Sequence, residues 1–177
     1  RLVDLLGGDI GVESRFGEGS TFWFEVPLEV SEAQEEPSSL EPAAFEQLTQ
    51  FNDGRILVVD DNPINQQIIV HLLSKVSLQA DVVSNGKLAL DRLALQRYDL
   101  VLMDLQMPEM DGLTAARTIR QQGLQSGIPI IAMTANAMAE DQRACMDAGM
   151  NDFIGKPFQI EQMLGRLGHW LKSRHQA

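Results

Sequence analysis

The sequence predicts an α/β protein: a doubly wound, five-stranded parallel sheet with five helices, preceded by an N-terminal β-hairpin fragment. Three observations lead there. From Arg55 onward, short apolar runs of strand length alternate with longer segments of helical periodicity. Runs such as Ile56–Val59 and Leu100–Met103 are continuously apolar, as strands buried on both faces are. Turn and stop signals at Asn62-Pro63, Asn85-Gly86, Asp111-Gly112 and Gly149 separate the segments. Strands that alternate with helices form a parallel sheet wrapped on both sides, because each crossover is right-handed.

The elements follow in order. Leu2 to Leu6 reads as the end of an amphipathic helix stopped by Gly7-Gly8. Ile10, Val12 and Ser14 alternate as a strand, and Arg15 to Gly19 is a glycine-bearing turn. From Ser20 to Leu28, Phe22, Phe24 and Val26 fall on one face and Thr21, Trp23 and Glu25 on the other. Residues 9–28 are therefore a hairpin, too small to bury a core alone. Residues 29–53 have the acidic, Ser/Pro/Ala-rich composition of a linker, with a short helix expected from Ala43 to Phe51. Beyond it, Ile56–Val59 is the first strand of the sheet. Pro63 opens a helix that Asn62 or Asp61 could cap, with Ile64, Ile68, Leu72 and Val76 as its apolar stripe. The remaining strands are Gln79–Ser84, Leu100–Asp104, Pro129–Met133 and Asp152–Ile154. The remaining helices are Leu88–Gln96, Leu113–Gln121, Ala137–Ala148 and one carrying Ile160, Met163, Leu164, Leu167, Trp170 and Leu171.

Bulk properties narrow the function classes. The chain has 177 residues, 44% hydrophobic and 22% charged, within the range of ordinary globular proteins. It begins at Arg1, and the expectation is a piece of a longer protein. No apolar run approaches a membrane span of about 18 residues. The single cysteine, Cys145, excludes an internal disulfide and reads as a small buried apolar residue on a helix. The charge of −11 is uneven: residues 1–53 hold two bases against twelve acids, residues 54–177 twelve bases against thirteen acids. With the main body nearly balanced and no Lys/Arg stripe, nucleic acid is not an expected partner.

Chemistry gathers at the strand ends. The first strand ends in Asp60-Asp61, the third in Asp104 and the fourth in Thr134, and the fifth leads into Lys156-Pro157. In a doubly wound sheet these positions share the carboxyl edge, where ligands bind. Taken singly, each has an ordinary explanation: a helix cap, a strand-end hydroxyl, a surface lysine. Together they make a chemical set. Clustered carboxylates repel unless a cation intervenes, and Mg²⁺ prefers a few oxygen ligands beside a phosphate. Asp60 and Asp61 are then the metal-side acids, Asp104 a nucleophile toward phosphorus, and Thr134 and Lys156 the clamps on the phosphoryl oxygens.

Residues 54–174 resemble the receiver domain of two-component response regulators, and most closely those of hybrid sensor histidine kinases. The resemblance rests on Val58-Val59-Asp60-Asp61-Asn62-Pro63, on Met103-Asp104-Leu105-Gln106-Met107-Pro108-Glu109-Met110-Asp111-Gly112, on Ile131-Ala132-Met133-Thr134-Ala135-Asn136 and on Asp152-Phe153-Ile154-Gly155-Lys156-Pro157-Phe158. It implies a flavodoxin-like strand order of 2-1-3-4-5. It also implies Asp104 as phosphoacceptor, and Mg²⁺ held by Asp60, Asp61, Asp104 and the Gln106 backbone carbonyl. Thr134 and Lys156 would hold the phosphoryl group, and Lys156-Pro157 would be a cis bond. Thr134 and Phe153 would be switch residues, and Gln106 and Asn136 would tune phosphoryl lifetime. Residues 1–28 resemble the C-terminal edge of the histidine-kinase ATPase domain, through Leu5-Leu6-Gly7-Gly8-Asp9-Ile10-Gly11-Val12-Glu13-Ser14 and Gly17-Glu18-Gly19-Ser20-Thr21-Phe22.

The resemblance therefore implies an incomplete ATPase edge (1–28), an acidic linker (29–53) and a receiver (54–174). The parent would be a hybrid sensor histidine kinase, cytoplasmic here, that could be anchored in the inner membrane. The ATP motifs and the phosphoacceptor histidine are not among these residues, so the expected chemistry is the phosphorylation of Asp104 alone. The expected partners are the dimerisation/phosphoacceptor domain of a histidine kinase, own or cognate, and a histidine phosphotransfer domain. The exposed hairpin edge could pair two copies into a dimer. Two alternatives remain at this point: a docking domain that is never phosphorylated, and an aspartyl-nucleophile phosphohydrolase resembling haloacid dehalogenases. The second wants an acid two residues after the nucleophile, where this chain has Gln106.

Overall fold

The structure is a computed structural model that describes residues 2–17, 19–27, 51, 54–135, 139–157 and 159–175. Contacts divide the chain into two compact units, Arg1–Ser38 and Ser39–Ala177. In the first, helix α1 (Leu2–Leu5) leads into strands β1 (Asp9–Arg15) and β2 (Gly19–Glu25). These pair antiparallel from Asp9 opposite Glu25 to Arg15 opposite Gly19. Gly11 is needed where it stands: a side chain there would collide with the indole of Trp23 on the facing strand. The hairpin leaves Phe22, Phe24 and Val12 exposed, as a pair of strands without a packing layer must. Of the helix expected from Ala43 to Phe51, residues 43–50 lie outside the described residues, and Phe51 is in a turn, buried in the second unit.

The second unit is the doubly wound sheet. Its strands are β3 (Arg55–Val59), β4 (Gln79–Val83), β5 (Leu100–Asp104), β6 (Ile130–Thr134) and β7 (Asp152–Gly155). They lie parallel in the order β4-β3-β5-β6-β7. The helices are α2 (Pro63–Lys75), α3 (Gly86–Leu95), α4 (Gly112–Gln121), α5 (Ala139–Asp147) and α6 (Ile160–His175). Period-two alternation sends successive strand residues to opposite faces. Ile56 and Val58, Leu100 and Leu102, and Ile131 and Met133 pack with α2 and α6. Leu57 and Val59, Val101 and Met103, and Ile130 and Ala132 pack with α3, α4 and α5. Two cores on one sheet explain why these strands read as unbroken apolar runs.

The structure corrects several local expectations. The apolar stripe of α2 is not Ile64-Ile68-Leu72-Val76, because Ile64 and Ile68 are 67% and 46% exposed. The buried line is Ile69, Leu72, Leu73 and, just past the helix, Val76, at i, i+3, i+4 and i+7. The helix carries apolar residues on two faces, and only the one turned to Ile56 and Val58 enters the core. Helix α3 starts at Gly86 rather than Leu88. Asn85 does more than break a strand: its Oδ1 accepts the Leu88 N–H at 2.9 Å and caps the helix. Asn62, not Asp61, caps α2 by accepting the Ile64 N–H at 2.9 Å. Cys145 is fully buried among apolar residues, and burial with the nearby charge of Asp141 pushes its thiol pKa up, so it stays protonated.

The register of α2 can be checked directly. Ile69→Ala is expected to cost roughly 2–5 kcal/mol, as large-to-small changes in a core do. Ile64→Ala should stay within about 0.5 kcal/mol. Urea denaturation of both variants against wild type measures this, and equal losses would place the helix in the wrong register.

Candidate functional site

Each candidate residue reaches the site because a strand ends beneath it. Asp60 follows β3, Asp104 closes β5, Thr134 closes β6 and Lys156 follows β7. Because β5 is central, with β3 on one side and β6 on the other, the ends of the three strands meet at one edge. They line a cleft of about 530 Å³ with Asp61, Asn65, Asp104, Gln106, Thr134 and Lys156 among its walls.

The geometry at the floor of the cleft centres on one cation. The Lys156 ammonium lies 2.7 Å from Asp60 Oδ2 and 2.8 Å from Asp104 Oδ2. Asp60 is fully buried and Asp104 is 7% exposed, so these are desolvated charges rather than a surface pair. Burial pulls the lysine pKa down, but its hydrogen bonds to Asp104 and Asp60 and their negative charges outweigh it, leaving the ammonium above its ordinary value. The Lys156–Pro157 peptide is cis, and the Lys156 N–H donates to the Thr134 carbonyl at 2.6 Å. That bond ties the lysine backbone to the neighbouring strand end.

Asp60 has further partners. Its Oδ1 accepts the Asn62 N–H at 2.9 Å, and the Asn65 amide donates to both carboxylate oxygens at 3.2 Å. Gln66 donates to the Asp60 carbonyl at 2.6 Å. Asp104 Oδ1 accepts the Gln106 N–H at 3.3 Å. Gly112 lies so close over this loop that a side chain there would strike the main chain of Asp104. Next to it Asp111 caps α4, accepting from Thr114 N and Oγ1, both at 2.8 Å. Burial would raise the Asp111 pKa, and these bonds override it and hold it below the usual carboxylate value.

Asp60, Asp61 and Asp104 each offer an oxygen, and all three lie within 4.8 Å of one another. An all-oxygen, carboxylate-rich set with Asp61 exposed toward the cleft suits a hard dication such as Mg²⁺. Phe153 lies away from this floor, beneath the Arg166 guanidinium at 5.3 Å from the ring centroid. Arg166 is itself ion-paired to Asp152, which also accepts from Trp170 Nε1 at 3.0 Å. Asn136 and Phe158 lie outside the described residues.

A family model for the response regulator receiver domain matches residues 56–168. The chain belongs to the response regulator receiver domain family. The receiver is therefore a module of two-component phosphorelay signalling. It is similar to hybrid signal transduction histidine kinase K of Dictyostelium discoideum, at 40% identity over 171 residues, which cover 92% of this chain and 14% of that protein. The solved receiver domain of a Pseudomonas aeruginosa PAO1 sensor histidine kinase, with a magnesium ion coordinated in its active-site cleft, is 40% identical. It matches with a TM-score of 0.64 over 68% of this chain and 98% of that one. The receiver domain of a Saccharomyces cerevisiae response regulator, solved with a histidine phosphotransfer protein, is 28% identical, with a TM-score of 0.66 over 70% of this chain and 92% of that one. The chain spans about a fifth or less of the length of the curated relatives it matches.

Sequence reasoning missed two residues of the cleft. Asn65 stands at the third position of α2, where a side chain reaches back over the helix start, and that placement was the available signal. Asp141 on α5 also lines the cleft, and nothing in its sequence context distinguishes it from a solvated helix acid.

The lysine bridge yields a stability prediction. Lys156→Ala leaves Asp60 and Asp104 buried without their cation and should cost about 3 kcal/mol. Urea denaturation in a chelating buffer reads it, and a loss under about 1 kcal/mol would mean the bridge carries no net stability.

Proposed function

We propose that this receiver takes a phosphoryl group from a phosphohistidine onto Asp104 and passes it on to a histidine of a phosphotransfer domain. The observation that carries the reading is the Lys156 ammonium 2.8 Å from Asp104 Oδ2, with Asp60 and Asp61 converging on the same point. The phosphohistidine donor is the dimerisation/phosphoacceptor domain of a histidine kinase, own or cognate. In the first step a carboxylate oxygen of Asp104 attacks phosphorus. The P–O bond forms as the P–N bond breaks, and the bonding pair returns to the imidazole nitrogen of the donor. Lys156 transfers its ammonium from the carboxylates to the phosphoryl oxygens, and the Thr134 hydroxyl donates to another. Mg²⁺ held by Asp60, Asp61, Asp104 and the Gln106 backbone carbonyl supplies charge neutralisation for the transferring group. Attack of the acceptor histidine on phosphorus reverses the bond changes and returns Asp104 to a carboxylate.

The switch follows from the same charges. A phosphoryl group on Asp104 draws Thr134 and Lys156 toward it and releases Phe153 from its place under Arg166. The face made by α5, β7 and α6 then shifts between two populations. Gln106 is exposed at the mouth of the cleft, where its side chain would place or block the water that ends the signal; Asn136 is read from the sequence alone as the second lifetime-tuning residue. Residues 1–28 are read as the edge of an ATPase domain, 29–53 as an acidic linker and 54–174 as the receiver, in a hybrid kinase working in the cytoplasm. Among the described residues no helix is long and apolar enough to cross a membrane.

Incubation with a small phosphodonor and Mg²⁺ should add one phosphoryl group by intact mass. Asp104→Ala should add none. An equal gain in that variant would overturn Asp104 as the acceptor, and no gain in wild type would favour a docking domain that is never phosphorylated.

A further inference from the structure

Asn65 is absent from the chemistry above, yet it lines the cleft and makes the most symmetric contact there. Its side-chain amide donates at 3.2 Å to both oxygens of Asp60. Asp60 is fully buried, so its carboxylate depends wholly on protein donors. Among the described residues three supply it: the Asn62 backbone N–H, the Asn65 amide and the Lys156 ammonium. They are not equivalent. The Asn62 bond is local, two residues along the chain, and reaches only Oδ1. Lys156 reaches only Oδ2 and is shared with Asp104, so it is the donor that leaves when a phosphoryl group claims the ammonium. Among the described residues Asn65 alone engages both oxygens, and its amide donates to no other acid. It sits on the first turn of α2, a helix anchored beneath it by Ile69, Leu72 and Leu73 and fastened to the Asp60 backbone by Gln66.

We infer that Asn65 is a positioning residue for the metal-side carboxylate: it fixes the plane of Asp60 so that one oxygen stays presented to the cation after Lys156 has moved to the phosphoryl group. This rests on the proposed Mg²⁺-dependent transfer to Asp104. A partner that orients a metal-ligating carboxylate acts on affinity, typically by 10–100-fold. The effect is therefore on cation binding and not on the nucleophile.

The test is calorimetric titration of the whole chain with Mg²⁺, for wild type, Asn65→Leu (similar volume, no amide) and Asn65→Ser (a smaller donor). Folding of each is verified by circular dichroism in chelating buffer. The expected result is an Mg²⁺ Kd weakened about tenfold or more in Asn65→Leu and less in Asn65→Ser. Phosphorylation of Asn65→Leu by a small phosphodonor should be slow at low Mg²⁺ and return to the wild-type rate at saturating Mg²⁺. An unchanged Kd overturns the inference. So does a phosphorylation defect that saturating Mg²⁺ leaves in place, because the residue would then be scaffold. Should Asn65→Leu fail to fold, the Kd of Asn65→Ser decides alone. Failure of wild type to bind Mg²⁺ would instead overturn the proposed function, which keeps the two outcomes distinguishable.

Discussion

One ammonium group holds the carboxyl edge of the sheet together. Lys156 stands between Asp60 and Asp104, two buried acids that would otherwise face each other across a few ångströms. Removing charges from water costs several kcal/mol each, and only close pairing with full hydrogen bonding offsets it. The donors around Asp60 complete that pairing. The arrangement is stable, and in the proposed mechanism it is also poised: Asp104 would keep its cation only until a competing anion arrives. Under the proposed function, a phosphoryl group on Asp104 would offer more negative oxygens than the carboxylate it replaces, and the same attraction that stabilises the resting site would drive its rearrangement.

The fold exists in the form needed to make this meeting happen. Asp60 and Lys156 are 96 residues apart in the chain, and only the strand order β4-β3-β5-β6-β7 brings the ends of β3 and β7 around the central Asp104. Two apolar layers hold the sheet rigid from both faces, so the acids are fixed by packing as well as by charge. The proposed switch residue Phe153 is tied in more loosely. Phe153 is half-buried against one core and lies under Arg166, whose guanidinium is held by Asp152. A cation over an aromatic face contributes about 0.5–1 kcal/mol at a partly exposed site, small enough to be overcome when the charge at Asp104 changes.

How much of this could be read from the residues depends on the kind of signal each carries. Strands β3, β5 and β6 were legible because burial on both faces leaves nothing but apolar residues, and each run ends on a polar residue that the sheet places at one edge. The acids, the threonine and the lysine followed from that edge. The α2 stripe was misread because Ile64 and Ile68 also repeat at helical spacing, and periodicity cannot say which of two apolar faces meets the sheet. Helix starts were shifted where a cap, as at Asn85, looks in sequence like a turn. Asn65 was invisible as a functional group because an asparagine in a first helical turn is common, and its double contact with Asp60 exists only in three dimensions. The shared lysine was foreseen as a clamp on phosphate, but its pairing with both acids was not.

Among the acids lining or flooring the cleft, Asp104 is singled out by sharing its oxygen with Lys156 while still touching the cleft. Site mapping tests that assignment most directly. After phosphorylation with a small phosphodonor and Mg²⁺, borohydride reduction converts an aspartyl phosphate to homoserine, which peptide mass spectrometry locates. Homoserine at position 104, with Asp60, Asp61, Asp111 and Asp141 unmodified, is the predicted result. Homoserine at any of those other positions, or none anywhere in a chain that had gained a phosphoryl group, would contradict it.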